Sequence, residues 1–147
     1  MVGPPRAVVV ASALLGLALL AACGLSGPGG PTPTPAAPVD GVLAVIASEW
    51  RYQPSRILLR QGEQVRIEFR NDGAILHDFK IEDLSADGVQ SESSGPLSGK
   101  EGELFTGADP GKEGTLVFTP TETGAFTYYC TIPQHRQLGM KGTIVVE

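Results

Sequence analysis

Histidine and cysteine are scarce in this chain: two of each in 147 residues, with two methionines and a single tryptophan. So few cysteines cannot build the disulfide framework of a small secreted scaffold. Two histidines are too few to furnish more than one histidine-based metal centre, which excludes enzymes that need a second one. Basic charge is short as well. Eleven Lys and Arg stand against 16 Asp and Glu, for a net charge of −5, and no segment gathers the cations into a stripe. Nucleic acid therefore meets no electrostatic footprint. The apolar run Ala7–Ala22 is 16 residues long, short of the ~20 a membrane-spanning helix needs.

That run still carries information. Arg6 precedes it, and it ends in Leu20-Ala21-Ala22-Cys23, which resembles a bacterial lipoprotein cleavage box. Small residues admit the peptidase and the Cys23 thiol takes the lipid. Residues 1–22 are expected to be a signal peptide, with an uncleaved anchor or plain secretion as the alternatives. Each places the domain outside the cytoplasm, and a lipid would tether it to a bacterial membrane. Residues 23–41 follow as the lipidated cysteine and a Pro/Gly-rich linker. Its 18 residues from Gly24 to Gly41 would reach about 50 Å when extended. With Cys23 lipidated, Cys130 has no disulfide partner and needs some other protection in an oxidising compartment.

From Val42 to Glu147 the texture is that of one β domain. Val65-Arg-Ile-Glu-Phe69 alternates apolar and charged residues, so one face is buried and the other wet. Similar signals run through Val42–Ile46, Ile57–Leu59, Thr115–Phe118, Ala125–Cys130 and Thr143–Val146, separated by turn formers such as Asn71-Asp72-Gly73 and Thr123-Gly124. Six or seven strands are expected, in an all-β, Greek-key antiparallel β-sandwich. Residues 84–113 break the pattern; they have no aromatic residue before Phe105 and read as a surface excursion with a short helical turn, without a role.

The chemistry concentrates in Cys130-Thr-Ile-Pro-Gln-His135-Arg-Gln-Leu-Gly-Met140. A thiol, an imidazole and a thioether sit on one loop with four residues between each and the next. Alone, Cys130 would read as an inert core residue and Met140 as core filler. Together they form a soft donor set that suits copper rather than magnesium, calcium or structural zinc. A trigonal site needs a second imidazole, and His77 is the one other histidine. Gly139 and Gly142 are expected to give the backbone freedom for the turn at Met140.

These residues resemble the blue (type 1) copper proteins, or cupredoxins, of the plastocyanin–azurin superfamily over the whole stretch from about Val42 to Glu147. The Cys130, His135 and Met140 spacing, with Lys141-Gly142-Thr143 after it, is most similar to that of the auracyanins. Asn71 and Gly73 precede His77 as in the family, and Glu49-Trp50-Arg51-Tyr52-Gln53-Pro54 resembles its aromatic opening strand. The resemblance implies one type 1 copper held by His77, Cys130, His135 and Met140. It also places Asp78, where many members have asparagine, behind the ligands and opposite Thr131. An ionised Asp78 would lower the reduction potential.

The implied function is a one-electron carrier, not an enzyme. It would work as a membrane-tethered monomer that exchanges electrons with partner proteins such as a cytochrome or a respiratory or photosynthetic complex. His135, among Ile132, Pro133 and Leu138, would face those partners. The alternative is an extracytoplasmic protein for copper storage, delivery or sensing, although such a protein would want more methionine and histidine.

Overall fold

The alternation in Val65–Asn71 shows how this sequence makes sheet. Val65, Ile67, Phe69 and Asn71 are buried while Arg66, Glu68 and Arg70 between them are exposed. Period-2 patterning of this kind fixes which face turns inward. The computed structural model describes residues 34–147, together with Met1 and Gly3. The expected lipidation site Cys23 and most of the signal and linker segments lie outside the described residues. Among the described residues, no helix is long and apolar enough to cross a membrane.

The described residues form ten strands in order: β1 (Val42–Ser48), β2 (Arg51–Gln53), β3 (Arg56–Leu59), β4 (Val65–Asn71), β5 (His77–Ile81), β6 (Ala86–Glu92), β7 (Phe105–Ala108), β8 (Glu113–Pro120), β9 (Gly124–Tyr129) and β10 (Lys141–Val146). They form two five-stranded sheets, ordered β2-β1-β4-β8-β6 and β3-β10-β9-β5-β7. The chain passes repeatedly from one sheet to the other, so neighbours within a sheet are mostly out of sequence order. The all-β sandwich expected from the strand pattern is thus present. The sheets, however, are mixed rather than antiparallel throughout: β1 pairs with β4, and β3 with β10, in parallel. Side-chain alternation does not encode strand direction, so this feature was invisible in the pattern.

The inner faces meet in one core. Val45, Ile67, Phe69, Leu116 and Phe118 come from one sheet, and Ile57, Phe79, Tyr128 and Ile144 from the other; all are fully buried. Across the seam Phe69 and Phe79 have ring centroids 6.3 Å apart, and Tyr52 meets Phe79 edge-on at 6.0 Å. Each such side chain contributes about 1.5–3 kcal/mol of burial, enough to hold the ends of the sandwich as a rigid platform.

Two further sequence expectations change. The backbone is tied to the sheet before Val42: Ala36 exchanges hydrogen bonds with Arg56 and Leu58, and Val39 pairs with Val42. Residues 84–113 are not a helical excursion either. They supply β6, an exposed edge strand, and β7, whose four residues are all buried. β7 pairs with β5 in a register that sets Ala108 opposite His77. Polar edge strands lack the apolar alternation of central ones, which is why this region did not announce itself.

Candidate metal centre

The site lies where β9 ends, β5 begins and β10 starts. β9 delivers Tyr128 inward and stops at Tyr129; Cys130 follows and is buried. The loop then turns back on itself through its own backbone. His135 N–H donates to the Ile132 carbonyl at 3.1 Å, Met140 N–H to the His135 carbonyl at 3.0 Å, and Cys130 N–H to the Met140 carbonyl at 3.2 Å. These bonds bring Cys130, His135 and Met140 together at the loop's neck, as the spacing predicts. Gly139 has φ +109°, a left-handed value that glycine tolerates best. Gly142 has another role than the one expected. Its φ is ordinary, but a Cβ there would stand 2.2 Å from the Tyr128 ring and 2.6 Å from the Ser55 carbonyl.

His77 opens β5 and is wholly buried. Its Nδ1 faces the Cys130 Sγ at 4.0 Å, and the Nδ1 of His135 faces the same sulfur at 3.3 Å. The donor atoms of His77, Cys130 and His135 all lie within 4.8 Å of one another. Met140 is fully buried beside them in the core. The structure thus gathers the three nitrogen and sulfur donors, with the Met140 backbone bonded to two of the three residues.

Electrostatics fits a soft cation. Burial, with the Asp78 carboxylate adding to it, pushes the Cys130 thiol up to about 11, so without a cation the buried thiolate is disfavoured; a bound soft cation would take the thiolate in place of the proton. Burial pushes both imidazoles below their ordinary value, which keeps them neutral near pH 7 with lone pairs available. Two neutral imidazoles, a thiol and a buried thioether form a donor set suited to copper.

Asp78 stands where the sequence placed it. Its carboxylate accepts the Thr131 N–H at 2.7 Å and the Thr131 hydroxyl at 2.6 Å, tying the His77 strand to the Cys130 loop. Burial pushes the Asp78 carboxyl above its ordinary pKa, and the two Thr131 bonds work against that rise. The Tyr52 hydroxyl donates to the Asp78 carbonyl. Asn71 completes the arm. Its Nδ2 donates to the carbonyls of Ile75 and Ala108 at 2.7 and 2.9 Å, and its Oδ1 accepts the Gly73 N–H at 2.9 Å.

Two residues at the site went unassigned in the sequence. Trp50, half-buried, meets the His135 ring at 4.6 Å and the His77 ring at 6.4 Å, edge-on in both cases. Glu49 lies 3.4 Å from the His77 Nε2 and accepts the Ala74 N–H at 2.7 Å. Both sit in the turn between β1 and β2, more than 25 residues before His77. Their place in the opening-strand motif was the only signal.

The model of the copper-binding proteins of the plastocyanin/azurin family matches residues 40–147. The copper-resistant cuproprotein CopI of Rubrivivax gelatinosus is 30% identical over 112 residues, covering 71% of this chain; the chain spans 65% of that relative's length. Among solved structures, reduced auracyanin from Roseiflexus castenholzii superposes with a TM-score of 0.60 at 21% identity, covering 73% of this chain and 97% of auracyanin. A multicopper oxidase superposes at 0.58 and 18% identity, over 75% of this chain but only 45% of the oxidase. With its donor cluster inside the matched residues, the chain belongs to the plastocyanin/azurin family of copper-binding proteins.

Proposed function

We propose that the protein is a one-electron carrier whose copper is held by His77, Cys130, His135 and Met140. The observation that carries this reading is the buried convergence of three donor atoms within 4.8 Å, already assembled by the protein's own hydrogen bonds. Bound there, copper supplies a Cu(II)/Cu(I) couple. The protein's part is to keep the donors nearly fixed: the loop bonds hold Cys130 and His135, and the Asp78–Thr131 pair locks the two ligand segments together. A site that changes little between oxidation states exchanges electrons with little reorganisation. Packing also argues for a carrier over an enzyme. His135 is 5% exposed and His77 wholly buried, with Trp50 packed edge-on against both rings, which leaves little room for a substrate.

His135 is the ligand nearest solvent among Ile132, Pro133 and Leu138, and Leu138 is 53% exposed. An apolar rim of this kind suits brief docking of electron donor and acceptor proteins. We place the domain outside the cytoplasm, lipid-anchored through Cys23 as a monomer. The support is the Leu20-Ala21-Ala22-Cys23 box and the linker.

Copper loading of the full chain tests the reading. An intense visible thiolate-to-copper band with narrow hyperfine splitting, lost in Cys130→Ser, is the expected result; a pale ordinary copper spectrum would sink it. Cells carrying Cys23→Ser should release the protein from the membrane fraction, and retention there would defeat the anchor.

A second reading is copper handling for resistance, favoured by the name and the 30% identity of the Rubrivivax relative. It expects a copper-sensitive phenotype on deletion that Cys130→Ser fails to rescue. It also expects no electron exchange with extracytoplasmic redox proteins.

A further inference from the structure

We infer that Glu49 is a positioning residue for the copper centre, its carboxylate taking the Nε2–H of His77 and so presenting Nδ1 to Cys130. This rests on His77 holding copper as proposed above. A histidine that binds metal through one ring nitrogen commonly gives the other ring N–H to an acceptor, which sets the tautomer and the ring's direction. His77 turns Nδ1 toward the sulfur, so Nε2 is the nitrogen that needs an acceptor. Among the described residues, that buried Nε2 has no hydrogen-bond partner of good geometry. The Glu49 Oε1 waits at 3.4 Å, slightly long for a hydrogen bond.

The surroundings are built for this approach. The Ala74 N–H donates to the same Oε1 at 2.7 Å, fixing the carboxylate on the loop that leads to His77. Gly73 makes room for it: a Cβ there would lie 2.6 Å from the Glu49 Oε1 and 2.8 Å from the His77 Nε2. A side chain at position 73 would have to displace the carboxylate, the imidazole or both. The Glu49 side chain is 34% exposed, so its charge persists without a buried counter-ion. The Asp78 carboxylate is engaged by Thr131. The His77 ring therefore has one anionic neighbour at its outer nitrogen, and that negative charge stabilises Cu(II) over Cu(I).

Glu49 also secures the loop through Ala74, so the test must separate a tuning role from a merely structural one. Glu49→Gln keeps an oxygen for the Ala74 N–H but removes the charge; Glu49→Ala removes both. In the copper-loaded full chain, both variants should raise the reduction potential above wild type. Glu49→Ala should in addition bind Cu(II) about 10- to 100-fold more weakly. In the reduced, diamagnetic protein, nitrogen-15 spectra of the imidazoles should show a slowly exchanging His77 Nε2–H in wild type that exchanges faster in Glu49→Ala. A loop-only role would lower the thermal midpoint of Glu49→Ala while leaving the potential and the ring proton as in wild type, and that result would overturn the inference. Should Glu49→Ala fail to fold, an unchanged potential in Glu49→Gln overturns it equally. Absence of the thiolate-to-copper band from wild type itself would instead defeat the proposed function, leaving the two failures distinct.

Discussion

His77 and His135 stand with ring centroids 5.1 Å apart, yet the chain fixes them by opposite means. His135 belongs to a loop whose bonds run between its own residues: Ile132, His135, Met140 and Cys130 hold one another through the backbone. His77 depends on distant partners. Glu49 comes from the β1–β2 turn, Thr131 reaches Asp78 across 53 residues, and Asn71 bonds the Ala108 carbonyl 37 residues on. One imidazole is positioned by local backbone, the other by tertiary side-chain bonds. Side-chain changes should therefore damage the His77 arm far more than the loop, where the backbone itself carries the geometry.

The largest effect is expected at Asn71, which is fully buried and serves three backbone groups. Asn71→Ala removes all three bonds and leaves the Ala108 carbonyl without this donor beside His77. Buried groups left unpaired cost about 1–3 kcal/mol each. Since Ile75 is exposed, its carbonyl can turn to water, and the net loss should be about 3 kcal/mol. Denaturant titration of the copper-free protein reads the loss directly. A change below ~1 kcal/mol would mean that the His77 arm holds without its cross-links, and the contrast would collapse.

Asp78 gives a smaller and more selective break. Asp78→Ala deletes both bonds to Thr131 but also relieves the cost of burying a carboxylate, so the loss should be about 1–2 kcal/mol. Asp78→Asn keeps an acceptor for the Thr131 N–H and an amide for its hydroxyl, and should stay within about 1 kcal/mol of wild type. Both should raise the reduction potential by removing negative charge near the metal. Equal losses for the two variants would show that the charge, rather than the tie between strand and loop, is what Asp78 contributes.

The same division explains what could be read from the sequence. Cys130, His135 and Met140 were legible because a self-closing loop writes its geometry into spacing. His77 was identified only because a second imidazole was required, and Asp78 with Thr131 only through resemblance. Glu49 and Trp50 were marked only by the opening-strand motif, which does not show that the β1–β2 turn lies beside His77 and His135. In the same way Val65–Asn71 announced its buried face but not its parallel partner β1. β7, buried against β5, was hidden among polar residues; Phe105 is its one large apolar side chain.

The smallest effect should come from the loop, at Gln134. Its φ of +74° places a non-glycine residue in the left-handed region one position before His135. That conformation costs about 1–2 kcal/mol for a residue with a Cβ. Gln134→Gly relieves it, but glycine loses more freedom on folding, by roughly 0.5–1 kcal/mol. The two partly cancel, so stability should shift toward the folded state by less than ~1.5 kcal/mol. The copper band should stay as in wild type, because the Met140 N–H still reaches the His135 carbonyl without help from this exposed side chain. Thermal melts with and without copper provide the measurement. Marked destabilisation, or a shifted band, would show that the Gln134 side chain takes part in holding His135. The loop would then depend on side chains much as the His77 arm does, and the difference between the two imidazoles would be one of degree.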